Sequence, residues 1–303
     1  MRIVDSLRVL ARVMRPHIVA GGFLGYLLGA LLALNLGGGF NPVHFALGYA
    51  VVLAGDLSTH FSNDYFDVEI DRDSPPKAFG RSNALVAHPG TRPAALSTAI
   101  FFSAAALTVA AFMVVMGVSP PTLLWVAASA VALGWMYSSP PARLNARGLG
   151  EATIAVGTGF AVPAVGYVAA AGVLDDTLLL VSVPLMLYGF VLSLSLELPD
   201  MEVDRSHGKK TIVVMLGRRR AALLAVLVTA VASMIFTVSP AGRVDGSWLV
   251  PLFSLAPLAA ALSGVTASLD DPEDVDRVSA RIIAALFLFL LAFDGYLLYN
   301  LLT

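Results

Sequence analysis

Cysteine is absent from this 303-residue chain. Its absence excludes disulfide bonds, thiolate catalysis and cysteine-ligated metals. Charged residues are also scarce at 13%, whereas 57% of the residues are hydrophobic and the mean hydropathy is +0.80. Because a soluble domain of this size needs far more polar surface, the composition predicts a membrane protein.

Apolar runs long enough to cross a bilayer, about 17 to 25 residues each, recur along the whole chain. They lie at residues 17–36, 43–62, 94–117, 121–137, 152–171, 177–196, 221–239, 248–267 and 281–302. These runs predict an all-α membrane protein with nine transmembrane helices in a single multi-pass domain, residues 1–303. The first run continues past Leu34 at spanning length, so we expect no cleavable signal peptide.

An acidic phrase occurs twice in this apolar chain. The first motif is NDYFDVEIDRD at residues 63–73, and the second motif is ELPDMEVDRSH at residues 197–207. Both contain Asp-x-Glu-x-Asp-Arg, at residues 67–72 and 200–205, which is a weak internal repeat. The motifs follow the second and sixth predicted helices. Four crossings separate them, so both are expected on the same face of the membrane.

Basic residues are segregated by the same predicted topology. All but one of the 19 lysine and arginine residues fall on the motif side, and the exception is Arg243. The positive-inside rule therefore predicts a protein of the cell membrane whose motif face is cytoplasmic. We interpret the arginine triplet at residues 218–220 as a topology anchor.

The acids of the first motif extend a polar stripe into the membrane. Spacings of three and four residues place five side chains on one face of a continued second helix: Asp56, His60, Asn63, Asp67 and Asp71. Glu197, Asp200 and Asp204 repeat this spacing at the end of the sixth helix. Ionisable groups at this depth need a cavity and partners. Two clusters of oxygen ligands without cysteine favour Mg²⁺, which completes its coordination shell with water and substrate phosphates.

Basic residues on the motif face suit a diphosphate, which two carboxylate clusters alone would repel. The candidates are Arg15, Lys77, Arg143, Lys209 and Lys210.

Small residues and prolines indicate how the helices pack. Gly21, Gly25 and Gly29 recur every four residues, which permits close approach of another helix. Prolines inside predicted helices remove backbone hydrogen bonds and favour kinks, and a kinked bundle tends to enclose a cavity. They are Pro163, Pro184 and Pro257.

The spacing of the two motifs resembles that of a known family. Asn63-x-x-x-Asp67-x-x-x-Asp71, Asp200-x-x-x-Asp204 and YSSPP at residues 137–141, followed by a basic residue, are similar to the UbiA superfamily of intramembrane prenyltransferases. The resemblance covers nearly the whole chain. It implies nine helices around a central cavity, Mg²⁺ bridging an isoprenyl diphosphate to both motifs, and transfer of the prenyl group to a lipophilic acceptor.

The same resemblance implies residue roles by position. It gives the metal roles to Asn63, Asp67, Asp71, Asp200 and Asp204. It places around the diphosphate a second set: Arg15, Lys77, Tyr137, Ser138, Arg143 and Lys209.

Prenyl transfer explains why these residue types are needed. Cleavage of the allylic C–O bond develops negative charge on the diphosphate, which Mg²⁺, lysine and arginine stabilise. The allylic cation left behind needs shelter from water, and the face of Tyr137 is expected to stabilise it by roughly 0.5 to 2 kcal/mol. The base that removes the acceptor proton stays open between Asp64, Asp71 and Glu197.

Two other classes of protein share some of these features. A cation-coupled transporter also carries paired intramembrane acids and internal repeats, but its site usually lies near the midplane rather than at helix ends beside basic residues. A CDP-alcohol phosphotransferase would carry DG-x-x-AR, which the sequence lacks. We therefore expect an isoprenyl diphosphate, a lipophilic aromatic acceptor and membrane lipid as partners, and no nucleic acid.

The acceptor prediction depends on resemblance alone. SNDYFD and the second motif with its continuation HGKKTIVVMLGRRRA look most like the branch that prenylates 1,4-dihydroxy-2-naphthoate on the way to menaquinone. Within the family a glycerol ether lipid such as geranylgeranylglyceryl phosphate, haem or a chlorophyll precursor remains an alternative acceptor.

Overall fold

The computed structural model describes residues 3–74, 82–238 and 249–303, and within these ranges the chain forms helices and no strand. A π-helical segment, Gly157–Ala161, joins α7 to α8, and single 3-10 turns lie at Pro89–Thr91 and Leu144–Ala146. The helices are α1 Ile3–Val13, α2 Pro16–Asn35, α3 Pro42–Asp73, α4 Ala84–Ala87, α5 Arg92–Val115, α6 Pro121–Ser138, α7 Gly150–Val156, α8 Val162–Ala171, α9 Asp176–Glu197, α10 Met201–Ser206, α11 Ile212–Leu216, α12 Arg218–Val238, α13 Leu249–Phe253, α14 Leu255–Thr266 and α15 Pro272–Leu302.

Every apolar run predicted from the sequence coincides with a helix or with two or three consecutive helical pieces. Seven helical regions of the described residues are long and apolar enough to cross a membrane, and the chain is an integral membrane protein. The two predicted spans that do not reach this hydropathy are α3 and α6. Both helices line the central cavity, where α3 presents several polar side chains and α6 presents small and apolar side chains together with Tyr137.

Close backbone contact joins α2 to α8. A Cβ atom added at Gly29 would collide with the backbone of Pro163, and one added at Gly166 would collide with the carbonyl of Tyr26. Gly25 faces Val162, and Gly21 faces a side chain of α15. The predicted packing role of the glycine stripe is therefore confirmed, and it brings α2 against one wall of the cavity.

The helix that carries the first motif is continuous, whereas the helix before the second motif ends. The first motif completes the 32-residue helix α3. In contrast, α9 ends at Glu197, just before Pro199, and Asp200 precedes the short helix α10. The second motif therefore follows the sixth predicted helix, as expected, but its three- and four-residue spacing does not lie on one continuous helix, because Pro199 has no N–H with which to prolong α9.

Side chains from other helices satisfy the carbonyls at this break. The Ser279 hydroxyl on α15 donates to the Ser195 carbonyl at 2.6 Å, the acceptor that a residue-199 N–H would have used. Arg218 Nε donates to the Leu198 carbonyl at 3.0 Å. Arg218 is thus more than a topology anchor, since it caps the end of α9 from the first residue of α12.

Candidate active site

A cavity of about 330 Å³ opens between the helices that carry the two motifs. Its polar end contains both motifs, and its deeper walls are apolar, with contributions from α3, α5, α6 and α8. Of the predicted site residues, ten line it: Arg15, Asn63, Asp64, Asp67, Asp71, Tyr137, Glu197, Asp200, Asp204 and Lys209. A site of this size and composition suits a small ligand with one charged end.

Asp67 of the first motif is held by two side-chain donors from the end of α6 and the turn that follows it. Its Oδ2 accepts hydrogen bonds from the Ser138 hydroxyl at 2.7 Å and from Asn145 Nδ2 at 3.1 Å. Asn145 Nδ2 also lies 3.1 Å from the Ser138 oxygen, so the three side chains form one small network. These donors leave Asp67 Oδ1 directed elsewhere, and it is buried without a hydrogen-bond partner among the described residues.

Asp64 is engaged differently. It forms a buried ion pair with Arg15, and the Ser82 hydroxyl donates to its other oxygen. Arg15 itself begins α2 in a left-handed conformation, with φ 50° and ψ 69°. Because both oxygens of Asp64 are occupied, the geometry favours a role in holding Arg15 at the cavity mouth over removal of an acceptor proton.

The acids of the second motif face the same space from separate segments. Asp204 on α10 pairs with Lys209, with 3.1 Å between Oδ1 and Nζ, and both side chains are largely buried. Burial alone would lower the pKa of Lys209, but the carboxylates of Asp204 and Asp67 outweigh it and raise that pKa above its ordinary value. Lys209 is therefore a buried cation that interacts electrostatically with carboxylates of both motifs.

The two motifs also touch at their outer ends and share a neighbour at the centre. His207 Nε2 lies 3.2 Å from Asp73 Oδ2, which joins the segment after α10 to the end of α3. Tyr137, at the end of α6, lies within electrostatic reach of acids from both sides of the cavity: Glu197, Asp67, Glu151 and Asp204.

Several buried oxygens at the polar end suit a bound cation. In the part of the chain that the structure describes, the following accept no hydrogen bond: Asn63 Oδ1, Asp67 Oδ1 and Asn145 Oδ1. Leaving so many acceptors buried without donors is costly unless another group compensates. No three acidic or histidine side chains among the described residues converge tightly enough to hold a metal alone. The arrangement therefore fits a cation that keeps water or substrate oxygens in its shell.

Three predicted diphosphate ligands lie elsewhere. Arg143 and Lys210 are exposed and do not line the cavity. The chain leaves α6 after Ser138 and turns through left-handed Arg143 at the surface, while in the second motif's loop Lys209, not its neighbour, occupies the cavity. Ser138 is buried and donates to Asp67, so it positions an acid rather than lining the cavity. Lys77 lies outside the described residues.

Two residues that sequence reasoning missed belong to the site. Asn145 supports Asp67, as described above. Glu151, 1% exposed at the start of α7, accepts a hydrogen bond from the Ile212 N–H and so ties α7 to the segment that carries Lys209. Both lie in the stretch after YSSPP, where a polar run on the motif face was the available signal.

Comparison with known proteins decides the family. The model of the UbiA prenyltransferase family matches residues 23–293. The chain belongs to this family. It is thus an intramembrane prenyltransferase, and the family assignment made from the two motifs is confirmed. The prenyltransferase assignment also replaces the cation-coupled transporter as an explanation of the paired acids.

Similar proteins differ in their acceptors. This UbiA protein is 23% identical to a 1,4-dihydroxy-2-naphthoate octaprenyltransferase of Bacillus subtilis, over 72% of this chain and 68% of that protein. It is 29% identical to a digeranylgeranylglyceryl phosphate synthase of Thermococcus gammatolerans, over 73% of each chain. The structure of a UbiA homologue from Archaeoglobus fulgidus bound to DMAPP and Mg²⁺ superposes with a TM-score of 0.65 at 17% identity, covering 93% of this chain and 98% of that one.

Proposed function

We propose that this UbiA protein transfers an isoprenyl group from a prenyl diphosphate to a lipophilic aromatic quinone precursor, in a Mg²⁺-dependent reaction at the motif end of the cavity. The observation that carries the proposal is the pairing of buried, donor-free oxygens with two cations, Arg15 and Lys209, around one cavity. Oxygens of this kind bind a divalent metal, and the cations bind the anionic leaving group.

Each motif has a distinct part in this proposal. Asn63, Asp67 and Asp71 on α3 face Asp200 and Asp204 near α10, and these five residues would hold Mg²⁺ between them. Bound there, Mg²⁺ would neutralise the diphosphate and stabilise it as a leaving group. The A. fulgidus homologue binds Mg²⁺ together with DMAPP, which supports Mg²⁺ as the cofactor of this proposal.

The remaining polar residues act on charge and water. Lys209 lies at the polar end, where the diphosphate would depart. Its positive charge would stabilise the negative charge that develops on the diphosphate as the C–O bond breaks. The electron pair of that bond leaves with the diphosphate, and the allylic cation remains against the apolar walls and Tyr137. A carbon or oxygen nucleophile of the acceptor then forms the new bond and loses its proton. Asp71 and Glu197 remain the candidates for the base that takes it.

The topology of the proposal is nine membrane crossings with the site on the cytoplasmic side. The segregation of lysine and arginine supports it. Because the chain has no cysteine, single cysteines at Arg147, Arg205 and Thr303 can be labelled without a background. A membrane-impermeant maleimide should label the first two positions only from the cytoplasm and the last only from outside. Labelling of Arg147→Cys and Arg205→Cys from opposite faces would contradict the helix count.

The acceptor is tested by turnover. Purified protein with labelled prenyl diphosphates of several lengths should prenylate 1,4-dihydroxy-2-naphthoate in a Mg²⁺-dependent manner. The second candidate acceptor is geranylgeranylglyceryl phosphate, which is favoured by the higher identity to the archaeal synthase. Prenylation of that lipid, with dihydroxynaphthoate untouched at every prenyl length, would overturn the aromatic assignment and leave the metal site intact.

A further inference from the structure

The cavity contains an acid that the diphosphate site does not use. Asp56 lies on α3 seven residues before Asn63, two helical turns or about 10 Å deeper along the same face. It lines the cavity together with Thr59 and His60. Beyond it the wall is apolar, beginning with Val52 one turn further along α3.

Asp56 has room for a ligand, and the described residues give it neither a hydrogen bond nor an ion pair. In contrast, Asp64, Asp67 and Asp204 each have at least one. The opposing residue on α2 is Gly22, and a Cβ atom there would collide with the Asp56 carboxylate. The backbone of α2 thus leaves space for a carboxylate that no side chain or backbone group of the described residues satisfies by a hydrogen bond, at a depth where such a group is costly.

The chemistry of the donor substrate gives Asp56 no partner either. A prenyl chain has no hydrogen-bond donor, and the diphosphate is itself an anion. A Mg²⁺ ion held at Asn63 and Asp67 lies too far away, because Mg²⁺–oxygen distances are only about 2.1 Å. A ligand that satisfies Asp56 must therefore carry its own donor, and the second substrate supplies one in its hydroxyl group.

We propose that Asp56 is an acceptor-binding residue that receives a hydrogen bond from a hydroxyl group of the prenyl acceptor. This inference rests on the proposed function. The hydroxyl fixes how the acceptor lies relative to the polar end, where the allylic cation forms. It also sets a specificity rule, because a carboxylate placed at Asp56 would be repelled. A hydroxy acid must therefore present its hydroxyl, not its carboxylate, to this position.

The test measures the two substrates separately in the purified full-length protein. Asp56→Ala should raise KM for 1,4-dihydroxy-2-naphthoate roughly 10- to 100-fold, the loss expected for one hydrogen bond to a charged group. KM for the prenyl diphosphate and the Mg²⁺ midpoint should change less than about twofold. Asp294→Asn alters another buried acid that has no hydrogen-bond partner among the described residues but lies outside the cavity lining, and it should leave both KM values unchanged.

A second readout separates binding from structural damage. Wild-type protein should bind 1,4-dihydroxy-2-naphthoate far more tightly than its dimethyl ether, and Asp56→Ala should lose most of that preference. Unchanged acceptor KM and preserved preference would overturn the inference. So would a parallel rise in KM for the prenyl diphosphate, which would place Asp56 in the diphosphate site. Failure of the proposed function looks different: wild-type protein would not bind prenyl diphosphate with Mg²⁺ in calorimetry.

Discussion

The two acidic motifs share a sequence phrase but not a backbone. In the first, Asp67 belongs to the unbroken helix α3 and is held by donors from the α6 end. In the second, Asp200 follows a proline and Asp204 lies on a separate short helix, where it pairs with Lys209. The difference shows two ways of placing acids at one site. The first motif is fixed by a continuous helix, whereas the second is followed by a short segment that carries Lys209 and is held by contacts with other helices.

The largest expected effect tests what the motifs have in common. Asp67→Ala and Asp200→Ala should each lower Mg²⁺-dependent turnover by roughly 10³-fold or more, because each removes a charge facing the proposed cation rather than core packing. The measurement is prenyl transfer by purified protein, with circular dichroism in detergent to show retained helix. Asp270→Ala, at an exposed loop position, is the matched control. Substantial activity in both variants would contradict the proposal that the two motifs form the active site.

The next largest effect tests Lys209, the buried cation that pairs with Asp204 of the second motif. Lys209→Met should reduce kcat by roughly 10²- to 10³-fold, because it removes charge stabilisation of the leaving diphosphate and the ion pair with the buried Asp204. Lys210→Met is a matched control, since the neighbouring lysine is exposed and does not line the cavity. Equal losses in the two variants would indicate that general positive charge matters, not the buried pair.

A smaller effect tests the side-chain donors that hold Asp67 of the first motif. Ser138→Ala removes one of the two hydrogen bonds to Asp67 Oδ2 and should lower turnover by about tenfold through a misplaced carboxylate. The loss should appear as a higher Mg²⁺ requirement, measured by titrating the metal at fixed substrate. Ser139→Ala, one residue on, should behave as wild type. A Mg²⁺ midpoint that does not move in Ser138→Ala would separate this hydroxyl from metal binding.

The smallest effect concerns the break itself. Pro199→Ala restores an N–H, but the carbonyl it would seek, that of Ser195, already accepts from Ser279. The free energy of unfolding should therefore change by less than about 1 kcal/mol, and turnover by less than about threefold. Thermal unfolding and steady-state kinetics measure both. A large gain in stability would mean that the proline alone holds the break open.

Much of this architecture was predictable because a helix that crosses a bilayer needs a long apolar run, so the length of each run predicts a helix. The nine runs coincide with helical regions, and the polar stripe on α3 was correctly placed on one continuous helix face. The break before Asp200 was not predicted, although Pro199 was the signal, because the three- and four-residue spacing of the acids mimics a continuing helix. Arg143 and Lys210 were assigned by charge and proximity in sequence, which do not determine whether a loop side chain faces a cavity or the surface. The assignment of individual roles within the site stays a prediction.

Because α3 is continuous, it fixes both the distances between its polar side chains and the directions in which they project. From Asp56 to Asp71 each residue is displaced from the one before it by a rise of about 1.5 Å along α3 and a rotation of about 100° around it. Depth in the membrane and direction around the helix are therefore set together, by counting. One residue inserted between Thr59 and Asn63 would leave Asp56 in place and swing the whole first motif by about 100°, out of alignment with the second. An insertion that would be harmless in a loop would here change the position of the proposed diphosphate site relative to the proposed acceptor site at Asp56.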